Sequence, residues 1–291
     1  STINLIIEER AAQIGAFLVG RLLPFRQKRM IGPFIYIDHM GPVALSQNQN
    51  FDVLPHPHIG LSTLTYLIEG AILHRDSIGT HIQIHPGAVN FMTAGSGIVH
   101  SERTPDELRN STKHMHGLQI WIALPAEHEN IAPNFHHTPA QLLPRWSHNG
   151  ADFKLIAGKI SGHESPVPVY SPLYMIEIKS THASQVNIGD KLYGEAGLYV
   201  LQGGVEVDGQ SYHEKQLLVS LTPGICSFNL LPNSMVYIFG GQPFPQERFI
   251  DWNFVASSRE KIQEAKSKWM NRQFPAIPGD DLEYAPYPGS K

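Results

Sequence analysis

Two pairs of side chains in this 291-residue sequence have the types and spacing to hold a metal ion: His56 and His58 in His56-Pro57-His58, and His100 and Glu102 in His100-Ser101-Glu102. On a β-strand, residues two apart point to the same face because successive side chains alternate. On a helix they would not face each other. Two such pairs on neighbouring strands would converge three imidazoles and one carboxylate, a donor set that suits a divalent first-row metal. Four protein ligands on a six-coordinate ion leave open positions. On a redox metal these serve dioxygen chemistry; on zinc they would favour hydrolysis. The occupant stays open among Fe, Mn, Ni, Cu and Zn, because affinity order and cellular supply decide it.

The chain has 16 histidines, so each pair needs weighing against the others. His114-Met115-His116 has the same spacing but no partner pair nearby, and reads as surface histidines or groups behind the site. His136 and His137 are adjacent, would point to opposite sides of a strand, and read as loop residues. His74, Asp76, His81 and His85 are candidates to support the ligands, although solvated strand ends are the commoner case. Gly60, Gly95 and Gly97 mark places where backbone must bend or approach closely beside a packed centre.

The site therefore requires strands, and the chain supplies them. Gly32 to Pro42 reads as a short strand bracketed by turn residues, and Leu5 to Val19 as an opening hairpin around Gly15. Apolar segments at Leu61–Ile68, Ala71–His74, Thr80–Ile84, Val89–Thr93 and Leu118–Leu124 are separated by Gly70, Gly79, Pro86-Gly87 and Gly95. This spacing predicts an antiparallel barrel or sandwich. From Phe135 to Gly150 the apolar pattern lapses, which predicts an inter-domain connection, and strand-like segments resume from Phe153 to Phe239.

The second half repeats the first. Tyr66-Leu67-Ile68-Glu69-Gly70 corresponds to Tyr199-Val200-Leu201-Gln202-Gly203, and Ala94-Gly95 to Pro223-Gly224 after a small slip. Carried across, His56 and His58 fall on Gly189 and Lys191, and His100 and Glu102 on Asn229 and Leu231. The second copy keeps the scaffold and lacks the ligands. The expected division is a metal-binding domain at 1–140, a degenerate domain without metal ligands at 141–255, and a helix and tail at 256–291. A capping box at Ser257 and Glu260 opens that helix, whose buried face is Ile262, Ala265 and Trp269. The Pro/Gly-rich tail from Phe274 should pack irregularly over a surface or fray.

Composition removes several function classes. Net charge is −4 with 22 Lys and Arg and no basic cluster, which argues against direct nucleic-acid binding. One cysteine, Cys226, permits no internal disulfide. No signal peptide and no apolar run near the length of a membrane helix is evident, so a cytoplasmic protein is expected.

His56-Pro57-His58, Thr65-Tyr66-Leu67-Ile68-Glu69-Gly70 and Met92-Thr93-Ala94-Gly95-Ser96-Gly97-Ile98-Val99-His100-Ser101-Glu102 resemble the signature of the pirin family of bicupins. Gly32-Pro33-Phe34 and His116-Gly117-Leu118-Gln119-Ile120-Trp121 are similar to that family too. The resemblance is dense over residues 20 to 125 and thinner, but in order, to the end. It implies an all-β chain of two tandem cupin barrels (double-stranded β-helix, or jelly-roll), with a short C-terminal helix after them. It also implies a mononuclear metal in the first barrel, Fe(2+) foremost, on His56, His58, His100 and Glu102. Family members are associated with quercetin 2,3-dioxygenase activity and, in eukaryotes, with iron-dependent transcriptional co-regulation. The chain departs from the family pattern at Ile59-Gly60-Leu61-Ser62, where Arg-Gly-Phe-Glu is usual, and at Ser96, where Arg is common.

The expected function is a dioxygenase acting with O2 on a small aromatic, flavonol-like substrate bound through a deprotonated oxygen. Glu102 would double as the catalytic base. Leu64, Tyr66, Phe91 and Met92 would wall the substrate, with only one of Phe91 and Met92 facing inward. The competing expectation is a non-catalytic metal- or redox-sensing protein that regulates a protein partner; a purely structural metal ranks below both. The chain is expected to act as a monomer.

Overall fold

The computed structural model describes residues 2–188, 192–225 and 227–290. Glycine, proline and Asn-Gly turns cut the chain into runs too short for most helices, and the described residues form many short strands and one α-helix, Arg259–Met270. One seven-strand sheet runs in the order Asn134–Thr138, Val89–Thr93, Leu61–Glu69, Lys113–Ala123, Phe34–Leu45, Phe17–Leu23, Arg10–Ile14. A second sheet runs Leu5–Glu8, Gln216–Ser220, Glu195–Gln202, Ser234–Gly241, Leu173–Ser180, Ala151–Ile160, Arg145–His148, with His163–Glu164 added beside Ala151–Ile160. Two four-strand sheets follow the same parallel: Asp52–His58, Ile98–Arg103, Ile72–Asp76, His81–Ile84, against Ser184–Asn187, Ser227–Leu230, Gly204–Val207, Gln210–His213. Apart from the edge strands Asn134–Thr138 and Leu5–Glu8 and the added His163–Glu164, the two orders match strand for strand. The chain is all-β, two cupin barrels and a short C-terminal helix.

By contacts the chain forms two compact units that draw on interleaved segments. One takes the chain up to Arg10, Gly20–Ile37 and Thr138–Phe244; the other takes Ala11–Val19, Asp38–His137 and the chain from Pro245 onward. In the first, Leu5–Glu8 pairs antiparallel with Gln216–Ser220. Its core is built mainly of aliphatic and aromatic side chains, including Leu155, Ile176, Leu198, Val200, Leu218, Phe228, Leu230 and Ile238. In the other, Phe51, Leu67, Ile72, Ile84 and Met115 pack together, and Ile59 and Val99 pack with Phe254, Ala256, Ile262, Ala265 and Trp269 from the C-terminal segment.

Several local expectations shift. The hairpin around Gly15 joins Arg10–Ile14 to Phe17–Leu23, while Leu5–Glu8 is a separate strand. The stretch from Phe135 to Gly150 is not featureless. It contains the strand Asn134–Thr138 and an Asn149-Gly150 turn, both residues at positive φ, that folds Arg145–His148 back on Ala151–Ile160. An Asn-Gly pair is the strongest short hairpin signal, and it outweighed the lapse in apolar pattern. The helix cap is Ser258, whose side chain accepts from Lys261 N–H. Ser257 instead gives its N–H and hydroxyl to buried Glu129, at 2.7 and 2.9 Å, and Lys261 Nζ joins the same carboxylate at 2.8 Å.

The repeat is clearer in register than in sequence offset. The counterparts of Asp52–His58 and Ile98–Arg103 are Ser184–Asn187 and Ser227–Leu230, which pair with each other as their counterparts do. The side chains they bury are Ser184, Val186, Phe228 and Leu230. Of the four positions reached by offset, Asn229 and Leu231 are exposed, while Gly189 and Lys191 lie outside the described residues.

The tail is irregular yet fastened to the strands of the first barrel. Ala285 N–H donates to Pro55 O at 2.8 Å, and Trp269 Nε1 donates to Ala285 O at 3.0 Å. Asp280 accepts from Ser101 Oγ at 2.6 Å and from Arg103 through two contacts of 2.8 Å. Burial pushes the Asp280 carboxyl up, but the Arg103 and Ser101 hydrogen bonds outweigh it and hold it below its ordinary range. Asp280→Ala should cost about 1.5–3 kcal/mol, the scale of hydrogen bonds to charged groups, read as a lower thermal midpoint. A folded pKa below the unfolded value of about 3.9 means the contribution is complete above that pH and vanishes as pH falls through the folded value. The gap between the two proteins should therefore close in acid, and a gap that widens there contradicts the assignment.

Candidate metal centre

The Asp52–His58 and Ile98–Arg103 strands are antiparallel neighbours, with His100 across from His56 and Ile98 across from His58. Directly opposed residues share a face. His56, His58 and His100 consequently project to one point, and one ring nitrogen from each lies within 4.8 Å of the others. A register shift after His100 sets Glu102 opposite Val53. Glu102 is buried, but its carboxylate stands outside that converging group, with Oε1 accepting from Thr65 Oγ1 at 3.2 Å. Gly60 and Gly95, beside these strands, sit at φ +70° and +53°; a Cβ on either would strike the carbonyl of Val255 or Ile131.

Hydrogen bonds fix which nitrogen of His56 and of His58 faces the centre. His56 Nδ1 is 2.7 Å from Leu54 O, and His58 Nδ1 is 3.0 Å from Asn253 O. A carbonyl oxygen only accepts, so both Nδ1 atoms carry the proton and both Nε2 atoms keep a lone pair. His58 Nε2 and His100 Nε2 stand 3.1 Å apart. Two nitrogens each about 2.1 Å from a shared ion, meeting it near a right angle, are about 3 Å apart. The donor set thus fits a divalent metal, because the lone pairs of His56 and His58 sit on Nε2 and a ring nitrogen of His100 converges with theirs.

Burial reinforces this state. It brings the His56 pKa down to about 4, with His74 adding to the effect, and holds His58 and His100 well below the usual imidazole range, with neighbouring imidazoles adding there. The rings are neutral at physiological pH, the form that binds metal without first losing a proton. Burial also pushes the Glu102 carboxyl up, offset only in part by His74 and the Thr65 hydroxyl.

The inner wall differs from expectation. Thr65 is paired across strands with Gln119 and Asn90, and Thr63 with Trp121 and Met92. Thr65 Oγ1 lies 2.9 Å from Gln119 Oε1 as well as near Glu102, and Trp121 meets His58 edge-on at 5.0 Å. These six residues share the face toward the imidazoles. By strand alternation Leu64, Tyr66 and Phe91 face the opposite way and are core, so only Met92 of the four expected wall residues turns toward the site. His137, expected in a loop, lies in the Asn134–Thr138 strand and reaches Asn90 Oδ1 at 2.7 Å. Period-two counting from Thr65 would have found Thr63 in the sequence, but the cross-strand partners required the register.

The remaining histidines separate plainly. His116 Nε2 lies 2.9 Å from His39 Nε2, and His114 is half exposed beside Glu69. His81, His85 and His136 are exposed. His74 is buried, stacked on Phe135 at 4.6 Å, with its Nδ1 3.5 Å from His100 Nδ1. The departures from the family pattern avoid the centre: Ile59 packs against the C-terminal segment, Ser62 bonds Thr93 on the opposite face, and Ser96 is exposed.

Fold and site together define a bicupin with a three-imidazole centre in one barrel. Comparison narrows the class. The Pirin family profile matches residues 17–122, and the Pirin C-terminal cupin domain matches residues 175–275. A pirin-like protein from Caulobacter vibrioides is 44% identical over 289 residues, covering 98% of this chain and 99% of its own. The crystal structure of a quercetin 2,3-dioxygenase from Acinetobacter baumannii aligns with a TM-score of 0.88 at 36% identity, covering 99% of this chain and 96% of that one. Escherichia coli YhhW, a bacterial pirin solved in complex with nickel(II), shares the fold with a TM-score of 0.62 at 21% identity, over 82% of this chain and 99% of that one. The chain belongs to the pirin family.

His58→Ala should reduce bound metal to background by elemental analysis. Saturating Ni(II) should raise the thermal midpoint of the unaltered protein, by about 2.7 kcal/mol of stability at a hundred times the dissociation constant, and leave the variant unmoved. An equal shift in both would place the ion elsewhere.

Proposed function

We propose that the chain is a metal-dependent dioxygenase that opens the ring of a quercetin-type flavonol with dioxygen, at a mononuclear Fe(2+) centre held by His56, His58, His100 and Glu102. The observation that carries this reading is the convergence of the imidazole nitrogens, with their Nδ1 protons committed to carbonyls at His56 and His58. The likeness to the Acinetobacter baumannii dioxygenase supports the reaction class. Bound there, the ion would supply redox chemistry toward dioxygen and positive charge for a deprotonated substrate oxygen. The metal is assigned to the domain at 1–140, with 141–255 structural and 256–291 a helix and tail.

The chain's own residues do the rest. Glu102 leaves its contact with Thr65 to complete the ligand set, and accepts the proton of the substrate hydroxyl; burial raises its pKa and makes it a better base than an exposed carboxylate. Once released, Thr65 Oγ1 keeps Gln119 Oε1, 2.9 Å away, as its acceptor. Met92 and Trp121 offer an aromatic substrate apolar contact, and Asn90 and Gln119 offer hydrogen bonds to its hydroxyls. Burial of the ligands keeps bulk water away from the reacting atoms.

One observation favours a second reading, a metal or redox sensor that regulates a protein partner. His58 and His100 are each 1% exposed and His56 8%, so the ligands are nearly closed off from solvent. Metal content of the purified protein, followed by dioxygen uptake with quercetin on the Fe(II)-loaded form, separates the two. Uptake matched to quercetin loss is expected, and a loaded protein that consumes none favours the sensor. Glu102→Gln should lower kcat by about 10²–10⁴-fold, the usual weight of a general base; undiminished activity removes that role.

A further inference from the structure

His74 and Asp76 stand behind the ligands on the neighbouring Ile72–Asp76 strand, two residues apart and therefore on one face. In register, Asp76 lies across from His100 and His74 across from Glu102. Both are buried, His74 at 3% exposure and Asp76 at 0%. Asp76 Oδ1 accepts the backbone N–H groups of Ile78 at 3.1 Å and Thr80 at 2.9 Å, while Oδ2 is 2.9 Å from His74 Nε2.

With one proton on each ring, the donors and acceptors leave one assignment. The carboxylate accepts, so His74 Nε2 carries a proton and a neutral His74 has a lone pair on Nδ1. That lone pair faces His100 Nδ1 at 3.5 Å, which must then be the donor. His100 is left with its lone pair on Nε2, aimed at His58 Nε2 and the centre. Stacking on Phe135 at 4.6 Å keeps the His74 ring from turning away.

We infer that Asp76 and His74 are a positioning pair that selects the tautomer and orientation of ligand His100, a carboxylate–histidine–histidine chain ending at the metal. This rests on the three-imidazole reading of the centre. His56 and His58 take the same instruction from backbone carbonyls, which no side-chain substitution can remove. His100 takes it from two side chains, so its basicity as a ligand is the one that substitution can tune. Loss of such partners typically weakens metal binding by about 10- to 100-fold. The 3.5 Å contact is long for N–H···N, which places the expected effect near the lower end.

The test is Co(II) affinity by competition with a chromophoric chelator, together with the visible spectrum of the Co(II)-loaded protein. His74→Phe keeps a ring beside Phe135 but removes the acceptor, and should weaken binding about tenfold and shift the cobalt bands. His74→Gln retains an acceptor for His100 and a donor for Asp76, and should recover most of both. Asp76→Asn should fall between. If the unaltered protein binds Co(II) and His74→Phe matches it in affinity and spectrum, the positioning role is wrong while the centre stands. A spectrum unchanged across all three variants, with affinity loss tracking only their melting temperatures, also defeats it by assigning His74 to packing. An unaltered protein that binds no Co(II) overturns the centre and this inference together.

Discussion

The structure depends on bringing buried imidazole nitrogens to one point, as His58 Nε2 and His100 Nε2 come within 3.1 Å. Left to themselves these rings would rotate to exchange a proton or find water. Each is instead tied at Nδ1, and the ties come from separate parts of the chain: Leu54 O on the His56 strand, Asn253 O from the C-terminal hairpin, and His74 from the next strand. The centre is therefore a property of the folded unit. The hairpin Phe249–Asp251 and Phe254–Ala256, the helix and the tail act on it from behind. Glu129 fastens the start of the helix, Asp280 grips residues beside His100 and Glu102, and Ala285 holds the carbonyl of Pro55.

The inner surface follows from the same strands. Alternation puts Leu64 and Tyr66 on one face of Leu61–Glu69 and Thr63 and Thr65 on the other, and the two threonines look toward the imidazoles. An apolar sleeve would bind an aromatic ligand by area alone. Hydroxyl and amide groups stand beside Met92 and Trp121, so this wall is mixed rather than an apolar sleeve. Departures from the family pattern at Ile59, Ser62 and Ser96 leave this surface intact, because all three side chains point elsewhere.

The second barrel shows what the scaffold is without the centre. Its strand orders copy the first, and the strands that would carry ligands bury Ser184, Val186, Phe228 and Leu230. Filling that position with hydrocarbon brings dispersion and hydrophobic stabilisation, roughly 1.5–3 kcal/mol per large side chain. The first barrel forgoes this to keep polar rings buried.

From sequence alone, the i, i+2 pairs, the turn glycines and the internal repeat determined an all-β duplicated chain and the convergence of His56, His58 and His100, because spacing and alternation are local properties of a strand. Ile262, Ala265 and Trp269 were legible as a helix face for the same reason. What lay beyond reach depended on which strands are neighbours. His74 became a partner of His100, Leu64, Tyr66 and Phe91 moved from the wall to the core, and Asn253 came to hold His58 across 195 residues of chain. The tertiary structure also placed Glu102 against Thr65, outside the converging group, through a register shift that no residue type announces. Side-chain facing is written into each strand, but register and pairing are decided only when the sheet forms.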